Sequence, residues 1–353
     1  MTPALPAVSV SIVIPALNGA ATLERVVAPL LPLPDGWELL LVDDGSTDGT
    51  VELAGKLGLE VIPSDGRGDD GAARNTGARR SRGDVLVFLD VDVATSRAAL
   101  ERAVACVQRE QVGCLFAVYD RGDHLGSHAA RYKNFWIRHS TLRARRPLRW
   151  LNSSLMLLRR RTLEQAGGFA EGFSCARGGG DLDLGERVAA LGAPVVADES
   201  FQVAHLKPFS VAGLWRNDSR RAAGWLRSAL GRRGLGAVVR RPSLANVGVR
   251  FSYGVLATAA AVPLALGALW LHPLAWPAAG ALLLGTALNA DFLLAAARGR
   301  IRSWPAFVVL LWLDQLACAA GLGRELARLL YAHFFGHTFG TGGGGGLPPV
   351  GTQ

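Results

Sequence analysis

The sequence predicts a three-layer α/β/α domain followed by interfacial helices and about three transmembrane helices, on three observations. Over residues 8–89, β-branched runs alternate with segments of helical spacing. Charge is partitioned, with 10 Lys+Arg against 17 Asp+Glu in residues 1–120, 23 against 9 in 121–250, and 5 against 3 in 251–353. The last third is nearly uncharged and holds apolar stretches long enough to cross a bilayer. Half of the 353 residues are hydrophobic, which excludes a disordered or fibrous chain.

Residues 8–14 form the first β-branched run, and 20–31 follow with helical spacing. Segments 37–42, 47–57, 59–62, 71–82 and 85–89 continue as strand, helix, strand, helix, strand. This order implies a mostly parallel sheet whose ligands bind beyond the carboxyl ends of its strands. Residues 1–19 lack a basic n-region, so they read as a first strand and not as a signal peptide. The loop Pro15-Ala16-Leu17-Asn18-Gly19 has no GxGxxG, which argues against a nicotinamide enzyme. Cys106, Cys114, Cys175 and Cys318 show neither a CxxC pair nor zinc spacing and read as reduced structural thiols.

Acids lie at the strand ends instead: Asp43-Asp44 after the second strand, Asp90 and Asp92 after the fourth. Two carboxylates spaced as Asp90-Val91-Asp92 can bind a hard divalent cation that bridges phosphate oxygens. In Asp43-Asp44-Gly45-Ser46-Thr47-Asp48-Gly49-Thr50 a carboxylate can accept from a base N–H or a ribose hydroxyl, while Asp48 reads as a helix-start residue.

The run 42–50, the run Gly71-Ala72-Ala73-Arg74-Asn75-Thr76-Gly77 and Asp90-Val91-Asp92 together resemble the successive motifs of family 2 glycosyltransferases of the GT-A fold, over roughly residues 8–205. The resemblance implies a nucleotide-sugar donor, UDP- or GDP-linked, a divalent Mg²⁺ or Mn²⁺ held through the DxD, and inversion at the anomeric carbon. By it Pro15, Asp43 and Asp44 lie against the nucleoside and Arg74 near the base or diphosphate. Asp92 then sits on the metal, with Asp90 close to the ribose or metal waters.

The family also expects a Glu-Asp pair beyond a Gly-Gly-Phe turn. Gly167-Gly168-Phe169 is present, Gly180 stands where the Glu is expected, and Asp181 keeps the place of the Asp. Inverting transfer to a hydroxyl needs a carboxylate to take the acceptor proton, and Asp181 is the candidate. Asp183 reads as a structural helix residue, with an exchange of roles with Asp181 left open. An acceptor that is already an anion, such as a polyprenyl phosphate, has less need of a strong base. Gly19 is a second departure, since related sequences often carry Glu there. His205 matches the place of a further metal or diphosphate contact, and Lys207 could neutralise the leaving phosphate.

The positive charge lies directly before the apolar third, which suits an anionic membrane surface better than nucleic acid. Residues 131–150 interleave arginines with Tyr132, Phe135, Trp136 and Trp150, a pattern for anionic lipid head groups or a lipid-linked acceptor; residues 209–235 resemble interfacial helices. Candidate spans are 251–271, 274–297 and 305–322, the third being open to an interfacial reading. With residues 1–250 cytoplasmic, the first two spans return the chain to the inside at Arg298, Arg300 and Arg302, as the positive-inside rule wants. Asp291 and Asp314 read as acids near span ends, or paired with Asn289 or an arginine of the adjoining loop.

The expected organisation is a nucleotide-sugar domain over 1–207, amphipathic helices over 208–250, a membrane region over 251–335 and a Gly-rich tail over 336–353. The function expected is a multi-pass cell-membrane glycosyltransferase, its catalytic domain cytoplasmic, passing sugar to a membrane-presented, lipid-linked acceptor. The alternatives are a polyprenyl-phosphate glycosyl synthase and a non-catalytic membrane protein that retains the nucleotide-sugar fold.

Overall fold

The structure is a computed structural model, described here for residues 8–109, 112–171, 180–240 and 247–335. The tail 336–353, Cys175 and Gly178-Gly179 lie outside the described residues.

The N-terminal part runs β1 (Val10–Ala16), α1 (Ala20–Val27), β2 (Trp37–Asp43), α2 (Thr50–Lys56), β3 (Glu60–Pro63), α3 (Asp70–Arg80) and β4 (Val85–Leu89), as the alternation predicts. It continues through β5 (Val93–Ala94), α4 (Arg97–Arg109), β6 (Cys114–Tyr119), α5 (His128–Arg143), β7 (Leu155–Arg159), α6 (Arg160–Gln165), α7 (Gly180–Ala190) and β8 (Val195–His205). The eight strands form one mixed sheet in the order β3-β2-β1-β4-β7-β6-β8-β5. β1 lies parallel to both β2 and β4, β7 is inserted antiparallel between β4 and β6, and β8 returns parallel to β6.

Alternate residues of β1 supply two cores. Val10, Ile12 and Ile14 face α1, α2 and α4 through Leu23, Val26, Ala54, Leu100 and Val107. Val13 faces the opposite layer, where Ala73 and Ala78 of α3, Leu163 of α6 and Leu182, Leu184 and Val188 of α7 complete the third layer. A Cβ on Gly77 would collide with Val13, so glycine lets α3 settle directly on the sheet.

A third core joins this domain to the C-terminal helices. These are α8 (Val211–Arg240), α9 (Val249–Gly267), α10 (Ala275–Ala287), α11 (Ala290–Arg298) and α12 (Phe307–Phe335). Tyr132, Phe135 and Trp136 of α5 pack with Phe251 and Val255 of α9, Phe292 of α11 and Phe307 and Leu311 of α12. Within 131–150, where the sequence predicts contact with anionic lipid head groups or a lipid-linked acceptor, Arg131, Tyr132, Lys133, Asn134, Phe135 and Trp136 are all buried. Residues 211–240 form a single helix packed along α12, with Arg227 donating to Glu325 at 3.0 Å.

Two helices are long and apolar enough to cross a membrane, Val249–Gly267 and the stretch Trp304–Ala332, the second running well past the expected end at 322. The stretch expected as one span over 274–297 is bent: α10 and α11 meet at 58°, and together the pair is long and apolar enough to be a third span. No proline or glycine sits at the break. The Asn289 side chain donates to Gly285 O across it, and Asp291 reaches Arg143 at 3.3 Å and His139 at 3.5 Å on α5. Asp291 thus pairs with an arginine, but one from the sheet domain and not from the adjoining loop. Asp314 is 1% exposed in the first half of α12, and the Tyr132 hydroxyl donates to it at 2.9 Å. Beside it the buried Lys133 and Asp218 form an ion pair.

Candidate active site

The candidate residues collect at the carboxyl ends of β1, β2, β4 and β8. Asp43 ends β2 and holds the turn that follows it, accepting from Ser46 N at 3.0 Å and Gly45 N at 3.3 Å. Asn18, with φ 56°, accepts from Thr47 N at 2.8 Å and so ties the first loop to the second. Asp48 accepts from Ala20 N and Thr50 N, confirming it as a helix-start residue. Pro15 lies in β1 in register with Val42. Asp44 is buried, with an Oδ1 that has no hydrogen-bond partner among the described residues, and burial raises its pKa. Such an orphaned acceptor fits a ligand N–H or hydroxyl.

Arg74 is not a surface group. It is 3% exposed on α3, with Nη1 2.6 Å from Asp70, Nη2 2.6 Å from Asp90 Oδ1, and its guanidinium 5.5 Å from the centre of the Phe169 ring. It therefore braces the first acid of the DxD. Burial pushes Asp90 up to about 6 against the pull of Arg74, and the charges of Asp92 and Asp181 add to the rise.

Asp92 and His205 face each other, Oδ2 to Nε2, at 3.7 Å. Backbone pairing sets this separation, because Leu206 N donates to Asp92 O at 2.7 Å and Val93 is in register with His205 between β5 and β8. The His205 ring stacks on Tyr119, centroids 4.8 Å apart. Burial would raise the Asp92 carboxyl, but the His205 bond and charge outweigh it and hold the pKa below its ordinary value. No group of three or more His, Cys, Asp or Glu side chains suited to a metal occurs among the described residues. A carboxylate and an imidazole nonetheless fit a cation that completes its shell with water and substrate phosphate, the habit of Mg²⁺ and similar ions.

Asp181 opens α7, where its carboxylate accepts from Ser153 N at 3.4 Å. Burial raises its pKa, and Arg74 draws it back. Asp183 is taken by Arg187, 2.6 Å away, as its structural reading requires.

Several supporting residues escaped the sequence. Asn75 pins the Gly-Gly-Phe turn twice, donating to Phe169 O and accepting from Phe169 N, both at 2.9 Å. Thr22 donates to Val91 O at 2.6 Å and fixes the DxD turn to α1. Asn75 stands inside a recognisable motif, yet no spacing names a partner 94 residues away.

The class of protein is set by a parallel β-α half-sheet, acids at its carboxyl edge and a DxD turn clamped to an imidazole: a domain of GT-A type. Residues 11–177 match the model of glycosyl transferase family 2, so this part of the chain is a family 2 glycosyltransferase domain. The glycosyltransferase AglE of Haloferax volcanii is 36% identical over 148 residues, 38% of this chain and 47% of that protein. The dodecaprenyl-phosphate galacturonate synthase of Rhizobium johnstonii is 30% identical over 115 residues, 30% of this chain and 34% of its own length. The chain thus spans less than half of these relatives. The mannosyltransferase PcManGT of Pyrobaculum calidifontis, solved with GDP-Man and Mn²⁺, shares the fold at 19% identity and a TM-score of 0.56, over 91% of this chain and 88% of that one.

Proposed function

We propose that the protein is a membrane-anchored, metal-dependent, inverting glycosyltransferase that moves a sugar from a UDP- or GDP-linked donor to a lipid-linked acceptor at the bilayer. The observation that carries this reading is the placing of the Asp90, Asp92, Asp181 and His205 cluster on a domain whose α5 shares one core with apolar helices. The relatives support the donor and acceptor classes: one is named a dodecaprenyl-phosphate sugar synthase, and a structure of like fold holds GDP-Man and Mn²⁺. On the same reading the sheet domain is cytoplasmic and Arg298, Arg300 and Arg302 lie on its side of the membrane.

Asp44 and the Asp43 turn receive the nucleoside, and Arg74 keeps Asp90 ionised and aimed into the cleft. Asp92 and His205 would hold Mg²⁺ or Mn²⁺, which neutralises charge on the departing diphosphate. Asp181 lies on the acceptor side, where a carboxylate with raised pKa takes the proton of an attacking hydroxyl.

Incubating the purified chain in membranes with nucleotide sugars and either metal, then identifying lipid products by mass spectrometry, tests this. Asp92→Asn and Asp181→Asn are each expected to lower turnover by roughly 10²–10⁴-fold, the range for a lost acid–base or charge-stabilising group. Wild-type turnover in Asp92→Asn, or undiminished activity in excess chelator, removes the metal assignment.

A further inference from the structure

Several cations without a carboxylate partner among the described residues lie where the sheet domain meets the apolar helices. Arg131, at the start of α5, is 6% exposed, yet no carboxylate lies within ion-pair distance among the described residues. Its Nη1 donates to Ser303 Oγ at 3.0 Å and its Nη2 to Gly126 O at 3.4 Å, while Nε has no partner. A buried guanidinium held only by neutral oxygens is costly unless an anion completes the site.

The Ser303 contact brings the α11–α12 loop to this point. In that loop Arg298, Arg300 and Arg302 are exposed, and none of them has a carboxylate partner among the described residues. Arg300, at φ 51°, and Ser303, at φ 72°, both occupy the left-handed region, which side chains other than glycine rarely adopt. The loop is thus held in a specific shape against the domain, with Trp304 part-exposed beside it as an interfacial aromatic would be. Towards the active site the basic run continues. Ser127, the cap of α5, donates to Phe209 O, and the exposed Lys207 lies over the Phe209 ring and acts electrostatically on Asp92.

We propose that Arg131, Arg300, Arg302 and Lys207 form a cradle for the phosphate of the lipid-linked acceptor, its hydrocarbon lying among the apolar helices and its head directed towards Asp92. The proposal rests on the glycosyltransferase reading above and names the acceptor's anchoring group. A phosphate monoester or diphosphate carries the charge the cradle lacks, and guanidinium forks match its oxygens. The membrane source is favoured over free phosphate because the loop that supplies Arg300 and Arg302 joins two membrane-region helices.

The test uses the full chain in neutral detergent and measures dissociation constants for farnesyl phosphate, farnesol, inorganic phosphate and phosphatidylglycerol, with UDP and GDP plus Mn²⁺ in parallel. Farnesyl phosphate is expected to bind at least tenfold tighter than the other three. The double variant Arg300→Gln/Arg302→Gln, altered only at exposed positions, is expected to lose at least tenfold of that affinity with nucleotide binding retained. Arg131→Gln should do the same wherever its melting curve shows it folded. Equal affinity for farnesyl phosphate and phosphatidylglycerol, tighter binding of inorganic phosphate, or an unaltered double variant overturns the cradle. Absence of nucleotide binding in the wild type overturns the underlying glycosyltransferase reading instead.

Discussion

Gly19, where the resemblance leads one to expect Glu, lies directly against Val91. A Cβ at Gly19 would lie 2.5 Å from Val91 Cγ2, and valine, stiff at χ1, cannot swing away. Gly19→Ala alone is expected to cost about 1–3 kcal/mol by overpacking. Gly19→Ala with Val91→Ala should recover most of that, a non-additivity that thermal unfolding reads directly. The departure was visible in the sequence, but its compensating partner 72 positions away was not, because each residue is unremarkable alone. Asp181 gives a second residue-scale expectation. Its raised pKa means that folding favours the protonated acid. That contribution is full below the ordinary carboxyl range and is lost as pH rises through the raised value. Asparagine carries no such cost. Asp181→Asn should therefore melt above wild type at pH 8 while losing turnover, and the gap should close as the pH is lowered towards about 4.

Among the elements, the strands and helices of the first 89 residues were legible because periodicity and acids at strand ends report local geometry. The antiparallel insertion of β7 beside β4 was not, since pairing partners 70 residues apart leave no local mark. Hydropathy likewise averaged over the α10–α11 break, because Asp291 counts as one acid in an apolar stretch. Only its partners on α5 turn it into an anchor. The burial of α5 left no local mark either: Lys133 pairs with Asp218 and Tyr132 donates to Asp314, partners 85 and 182 positions away. Tyr132→Phe removes the donor to a carboxylate that is 1% exposed. It is expected to destabilise the chain by about 1–3 kcal/mol, measurable as a lowered melting temperature in detergent.

For the whole molecule, the charge partition has a structural meaning. The acidic third holds the nucleotide and metal candidates, and the nearly uncharged third supplies the apolar helices. The basic middle divides between buried pairs such as Lys133 with Asp218 and exposed groups such as Lys207. Because Tyr132, Phe135 and Trp136 belong to the core shared with α9, α11 and α12, the sheet domain is not a detachable unit. Truncation after residue 240 should leave that aromatic face bare. The fragment is expected to aggregate, or to elute in size-exclusion chromatography only with bound detergent; a monodisperse fragment without detergent would contradict the shared core.

The engagement of α5 with three membrane-region helices has one more consequence. The DxD edge is attached to those helices through packed side chains, so on the membrane-anchored reading proposed above its height over the bilayer would be a fixed dimension of the molecule. On that reading the protein would work as a depth gauge. Bilayers thinner or thicker than its apolar belt tilt or submerge the gauge, at fractions of a kcal/mol per Å, and move the cleft relative to any head group it must reach. Lipid composition would then act on the reaction through position alone, without binding anywhere near the carboxylates.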